Sequence, residues 1–471
     1  MKKFYTAFVS IFWFTMMGLL FHREVLPTLI ITNPTGYEIE LTNDYPVRES
    51  WMGIYFKDRK IGFSNTVIVQ DVDNGVAGYR INETLLLRLN MLGEKNFVRM
   101  KGASFFSESY LLKNFYYRLV SGEYKLEVSG DVKADELNLV IKTDADIKVK
   151  SLKIKQNTLI SNSVSPILLF KKLDINKEIS FEIFNPISFG TNRVSIRNIG
   201  IENLEFNKKE YQAYVFEIDS SGIKTKTWMT KDGDILKEES GLGFTMHKED
   251  PKHALDIDPL SFGSQDLAVE FALPSNMEIA QPRDVFYLKI DKGGEIVEIF
   301  KDKEPLKEDI LALPIEEIRE EDFVQSSDER IAGLAREIIN TEKDSWTASK
   351  KILHWVYDNV RKVPALSIPS SLDVLRTMQG DCNEHTVLFT ALARSVGIPT
   401  KMVAGVVYLD NAFYYHAWPK VYVGEWINMD PTLGQEIADA LHIPLLEGGL
   451  KEQLELIRII GELEIRIVDY K

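Results

Sequence analysis

Between about Tyr37 and His247 the chain keeps one pattern: short runs in which apolar and polar residues alternate. Examples are IGFSNTVIV (61–69), YKLEVSGDV (124–132), LNLVIKT (137–143), YQAYVFEI (211–218) and TKTWMTKDG (225–233). A period of two places every second side chain on one face of a strand. Asp73-Asn74-Gly75, Ser121-Gly122 and Lys231-Asp232-Gly233 lie between such runs, where tight turns need residues that tolerate positive φ. Long helical periodicity is scarce here. The expectation for 36–250 is one large, mainly antiparallel β domain, strongly curved or sandwich-like.

Residues 251–313 continue with short strand-like runs, AVEFALP (268–274) and VFYLKID (285–291), and predict a small β segment bridging to the next domain. The charged stretch 291–309, with Gly293-Gly294, reads as a hairpin or a loose connector. The character changes after Pro314. Ser327, Asp328 and Glu329 mark a helix start, and Ile331, Leu334, Ala335 and Ile338 supply its apolar stripe. A second helix is expected from about Trp346 to Val360. Ser371 can cap a short one through Met378, and a very apolar helix covers about Asn383 to Val396. Three strand-like runs come next, at 400–409, 414–423 and 425–430. Helices first and an antiparallel sheet after them is an α+β order, giving a core at 314–434. The remainder, 435–471, predicts a helix at about Leu445 to Ile460 and a final edge strand at 462–470.

Lys2 and Lys3 precede an uncharged run from Phe4 to Phe21, 18 residues long. As a helix it reaches about 27 Å, just enough to span a bilayer. No small-x-small cleavage site follows Gly18, so residues 1–23 are expected to stay as an uncleaved signal-anchor, joined through a linker at 24–35 punctuated by Pro27 and Pro34. The basic N-terminus faces only Arg23 across the run. That bias keeps the N-terminus inside and predicts a single-pass protein whose bulk is extracytoplasmic, in a bacterial periplasm or at a cell surface.

The formal net charge is −14, which argues against a nucleic-acid partner because phosphate binding needs clustered Lys and Arg. Cys382 is the sole cysteine, so no intramolecular disulfide and no cysteine-based zinc site can form. The histidines show no close-spaced pair near carboxylates, and no Asp-rich calcium loop is present; neither a metal nor a cofactor is expected. The oligomeric state leaves no trace in the sequence.

That lone thiol sits just after Gly380-Asp381, at the start of the apolar helix. A helix N-terminus carries partial positive charge and unpaired N–H groups, so a cysteine pKa is expected to fall there and an oxyanion finds donors. A nucleophilic cysteine needs a base, and the base needs a group to orient it. His416 lies in one strand-like run, and Asp430 ends the next, 14 residues on. A hairpin at Gly424 would set the two side by side on one sheet face, with the helix N-terminus laid against them. His385, one turn from Cys382, would point away from that sheet. Trp355, Trp418 and Trp426 read as core or cleft-wall residues, and His354, His247 and His253 as ordinary ones.

Three blocks in this order resemble the transglutaminase-like superfamily: Gly380 and Cys382; Arg394, Gly397, Ile398 and Pro399; then His416-Ala417-Trp418 and Trp426 with Asp430-Pro431-Thr432. Lys401 is the one departure, standing where an Arg is frequent. The resemblance implies a papain-like core with a catalytic Cys382, His416 and Asp430, attacking an amide of a protein or peptide and passing through an acyl-enzyme. Hydrolysis is the expected outcome, since this core is compact and carries no calcium loop, whereas in cross-linking members of the family the amine channel and its calcium control come from extra domains. A protein-glutamine cross-linking transferase and a non-catalytic binding module remain open.

Overall fold

The alternating runs become fifteen strands of one sheet between Arg48 and Glu249. This computed structural model describes residues 48–109, 111–155, 158–160, 173–220, 222–257, 266–310, 319–364, 367–449 and 463–471, and every count here refers to them. The anchor expected at 4–21 and the linker at 24–35 lie outside that set. Among the described residues no helix is long and apolar enough to cross a membrane.

The sheet begins and ends at its own middle. The strand Arg48–Phe56 pairs on one side with Arg59–Asp73 and on the other with the last strand, Phe244–Glu249, in the register Trp51↔Glu249. Successive hairpins carry the chain out to one edge at Ile147–Lys153, and back from the other edge at Leu159–Ile160. That edge pair is the parallel one, Ile183 facing Leu159. The two arms roll onto each other: the rings of Phe115 and Phe184, from opposite arms, lie 5.6 Å apart. Leu126, Leu137, Leu139 and Ile141 from one arm share a core with Ile183, Val194 and Ile196 from the other. Burying that face of both arms supplies the roll with a hydrophobic centre that neither arm has alone. Gly130 leaves room for it, since a Cβ there would stand 2.4 Å from the Phe115 ring.

The second half is a helical layer on a sheet. Its helices are Glu329–Ile339, Ser345–Asn359, Ser371–Thr377 and Cys382–Ser395, capped by Asp328, Asp344, Ser370 and Asp381. The last is buried along almost its whole length, and Val387, Leu388, Phe389, Ala391 and Leu392 form the centre of the core with Ile331, Ile352, Val356 and Ile427. A helix covered on every side, with apolar residues filling its middle, belongs at the centre of a domain. Beside it lies a sheet ordered Leu273–Pro274, Ala412–Tyr422, Thr400–Leu409, His442–Glu447, with Trp426–Asn428 also pairing to Ala412–Tyr422.

Two expectations are corrected. AVEFALP is not a strand: Leu267–Glu270 is a helical turn, because the Asp266 carboxylate accepts from the Ala268 N–H at 3.0 Å and starts a helix instead. Only Leu273–Pro274 is extended, and it pairs with Ala412–Phe413. The helix expected from Leu445 is a strand at its start. His442–Glu447 pairs antiparallel with Val403–Val407, and Pro444 within it carries no N–H and resists a helix interior; 450–462 lie outside the described residues. The 291–309 stretch contains a hairpin, Tyr287–Lys292 with Glu295–Phe300, turning on Gly293 and Gly294 at φ 58° and 94°. The final strand, Ile465–Tyr470, pairs with it.

The roll and the helical half meet within one compact unit, Val47–Lys471. Phe189 stacks on Phe323 at 5.5 Å, and Lys148 and Lys150 pair with Glu320 and Asp322.

Candidate active site

Cys382 is the first residue of its helix. The Asp381 carboxylate accepts from the Asn383 N–H at 2.8 Å, and Glu384 reaches back to accept from the Asp381 N–H at 2.8 Å. This reciprocal cap fixes the helix start. It requires glycine at 380, where a Cβ would lie 2.2 Å from the Glu384 side chain. The expected fall in the thiol pKa is not found. Burial pushes Cys382 well up, the Asp381 charge adds to it, and the hydrogen bond from the Ala417 N–H is the opposing influence. The Asp381 carboxylate at the helix N-terminus offsets its positive end. Glu384, fully buried and beside Asp381, is itself raised well above the usual carboxyl range.

His416 lies on the strand Ala412–Tyr422, next to the residue whose N–H meets Cys382. The hairpin turns at Gly424, φ 95°, with Tyr422 opposite Trp426, and delivers Asp430 to His416. The ring Nε2 stands 2.8 Å from Asp430 Oδ2. Asp430 has no exposed surface. Its Oδ1 accepts the N–H groups of Thr432 and Leu433 at 2.7 and 2.9 Å. Burial alone would raise this carboxyl; the charges and hydrogen bonds of His416 and a second histidine outweigh it and hold it far below the usual range. Trp418, fully buried, stacks on His416 at 6.1 Å. Its Nε1–H donates to Asn428 Oδ1 at 3.0 Å, and Asp302 clamps Asn428 at both its backbone and its amide nitrogen.

The structure thus brings His416 and Asp430 into contact and sets Cys382 beside Ala417. The second histidine, His442, went unnoticed in the sequence. Its Nε2 lies 3.1 Å from the same Asp430 Oδ2, and its Nδ1 3.0 Å from Asp439 Oδ1. Nothing local marks it: His442 sits in an apolar run and reaches Asp430 only because its strand pairs beside Thr400–Leu409. His416, Asp430 and His442 offer donor atoms within 4.8 Å of one another, a spacing a metal ion could bridge, but mutual hydrogen bonds already engage each of these atoms. His385 is a buried structural residue, Nδ1 and Nε2 facing the carbonyls of Asp381 and Val360 at 2.6 and 3.2 Å. His354 pairs with Glu436 at 2.7 Å. Arg394 donates to the Thr400 and Arg319 carbonyls and to Glu321, tying the helix end to the sheet. Lys401 lies over the Trp426 ring at 4.7 Å and pairs with Glu447 at 3.9 Å.

Residues 332–431 match the family model of the transglutaminase-like superfamily. This stretch of the chain is a transglutaminase-like domain. It takes in the Cys382 helix, the His416 strand and Asp430, whereas His442 and Asp439 lie just beyond it. No curated protein matches the chain. Among solved structures, the chain is similar to a β-barrel-like protein of a domain of unknown function from Brucella abortus, at 11% identity and TM-score 0.31 over 44% of this chain and 95% of that one. It is similar to a protein from Cytophaga hutchinsonii proposed to be a cysteine protease, at 14% identity and TM-score 0.28 over 64% of this chain and 80% of that one. A protein from Parabacteroides distasonis proposed to be a protease is similar at 10% identity and TM-score 0.19, over 76% of this chain and 69% of that one.

Proposed function

We propose that the transglutaminase-like domain is a cysteine acyl-transfer enzyme that hydrolyses amide bonds of proteins or peptides through Cys382, His416 and Asp430. The observation that carries this reading is the buried His416–Asp430 pair at 2.8 Å, on the strand whose Ala417 N–H meets the cysteine at a helix N-terminus. Asp430 is ionised and can only accept, so His416 Nε2 carries the hydrogen and Nδ1 is left with a lone pair for the thiol. Burial disfavours a free-standing thiolate, so the nucleophile forms by transfer of the Sγ proton to His416 Nδ1 as attack begins. The sulfur bonds to the amide carbonyl carbon, and in this reading the backbone N–H of Cys382, at the helix N-terminus, donates to the oxyanion. His416 returns the proton to the leaving amine as the C–N bond breaks, leaving a thioester. Water, deprotonated by His416, then releases the acid and restores the thiol.

Water at about 55 M is the default acceptor unless a site excludes it. The protein is further read as held to a membrane through residues 4–21 with the domain outside the cytoplasm; the uncharged run supports this. The roll of strands 48–249 serves in this reading as the platform against which the domain is fixed. The test incubates the full chain with peptide and protein amides, with and without a labelled primary amine. Release of cleaved product that outpaces amine incorporation is expected. Incorporation in excess would turn the reading to cross-linking, and no turnover despite a labelled Cys382 would favour a binding module.

A further inference from the structure

We infer that His442, clamped by Asp439, is a positioning residue of this reaction: a fixed imidazolium behind Asp430 that sets the pH range in which Cys382 and His416 exchange their proton. The inference rests on the proposed roles of Cys382, His416 and Asp430.

Counting hydrogens gives the charge. Asp430 Oδ2 faces both His416 Nε2 and His442 Nε2, while its Oδ1 accepts two backbone N–H groups. Asp439 Oδ1 faces His442 Nδ1 and accepts the Leu441 N–H, each at 3.0 Å, and its Oδ2 accepts the Gln435 amide at 2.8 Å. Both carboxylates are therefore surrounded by donors and neither is placed to supply a proton. A neutral imidazole has one N–H, and His442 has a buried carboxylate at each nitrogen, unlike His385 with its two uncharged carbonyls, so it carries both protons. The side chains of Asp430, His442 and Asp439 are 0%, 2% and 4% exposed, so water cannot substitute for either contact. The pKa agrees in direction: burial would lower it, but the bonds to Asp430 and Asp439 push it up to about 9.

The groups facing His442 are Asp430, Asp439, the His416 ring at 6.0 Å and the uncharged Trp418 ring at 5.2 Å. Those nearest Cys382 are Asp381 and Glu384. Within the His442 group the charges are −1, +1 and −1. Without the cation, a bare buried Asp430 would draw the proton onto His416 and hold it, and a neighbouring negative charge would disfavour the thiolate. His442 offsets part of the Asp430 charge, which lets His416 give the proton back. It also donates to the same Asp430 oxygen that meets His416, and so helps to fix that carboxylate. This differs from a simple packing role, because charge rather than shape carries the effect.

The single thiol makes the readout direct. The rate of Cys382 alkylation by iodoacetamide is followed against pH on the full chain, for wild type, His416→Ala, His442→Gln and His442→Gln with Asp439→Asn. Removing the cation leaves one extra negative charge, and His442→Gln should move the limbs of the profile up by roughly one pH unit. The double variant restores the net charge of the group and should bring the limbs back towards wild type. An unmoved profile in His442→Gln, or a double variant displaced further than the single one, overturns the inference alone. Wild-type alkylation that ignores His416→Ala overturns the triad and this inference with it. Should the variants fail to fold, nitrogen NMR of the wild-type chain labelled at histidine decides. Two protonated ring nitrogens on His442 at pH 7.5 are expected, and a singly protonated ring contradicts the inference.

Discussion

The Tyr124 hydroxyl, on the rolled sheet, donates to the carbonyl of Gln379 at 2.5 Å, three residues before Cys382. It also meets Thr377 Oγ1 at 3.3 Å, and Arg376 donates to the neighbouring Glu123 carbonyl at 3.2 Å. The β domain therefore touches the segment that leads into the nucleophile helix. Tyr124→Phe leaves the ring in place and removes this one bond. The expected cost is about 1 kcal/mol in denaturant unfolding, together with slower Cys382 alkylation as the 379–381 segment loosens. Unchanged stability and unchanged alkylation would mean that the contact is incidental.

Asp430→Asn keeps the shape of the side chain but offers an amide where His416 and His442 each meet an acceptor. The wrong tautomer or a turned ring results, and peptide hydrolysis should fall by about three to four orders of magnitude, as orienting carboxylates in triads generally require. Circular dichroism should confirm retained structure. A loss of less than tenfold would remove Asp430 from the orienting role.

Arg394 is almost wholly buried and holds two carbonyls and the Glu321 carboxylate. Arg394→Met strands those acceptors and should cost about 3 kcal/mol, read as a lower unfolding midpoint at unchanged denaturant slope. Because no part of it reaches Cys382 or His416, the pH profile of alkylation in the folded fraction should not move.

Glu83 gives stability a pH dependence of its own. Burial, with the Glu238 carboxylate adding to it, pushes Glu83 up to about 7. A folded-state pKa above the unfolded value means that the folded chain binds the proton more tightly. The contribution is complete below about 4.5 and is lost as pH rises through 7. In Glu83→Gln the decline between these values should flatten by up to about 3 kcal/mol, measured by urea unfolding at pH 5 and pH 8. An identical slope in both proteins would show that Glu83 does not titrate in this window.

How much was legible depends on which interactions are local. Period-two runs and helix caps act within a few residues, so the strands of the roll and the helices from Glu329 to Ser395 could be read off. The turn at Leu267–Glu270 was missed because a single carboxylate, Asp266, outweighed a strand-like apolar pattern. His416 and Asp430 were legible because a hairpin joins them. His442 was not: its link to Asp430 depends on the pairing of His442–Glu447 with Thr400–Leu409, and neither propensity nor spacing encodes that register. The expected fall of the Cys382 pKa came from the helix N-terminus alone. It failed chiefly because tertiary packing takes the thiol out of water, which favours the uncharged form, and the Asp381 charge beside it acts in the same direction.

The most direct test of the account is the second-order rate of Cys382 alkylation by iodoacetamide near pH 7, in the folded wild-type chain and in His416→Ala, with the modified residue identified by mass spectrometry. If His416 takes the thiol proton, the wild type should react readily at neutral pH. The variant should then be slower by about a hundredfold or more and recover only at strongly alkaline pH, where the thiol ionises unaided. Equal rates in the two proteins, or a wild type inert at neutral pH, would contradict it.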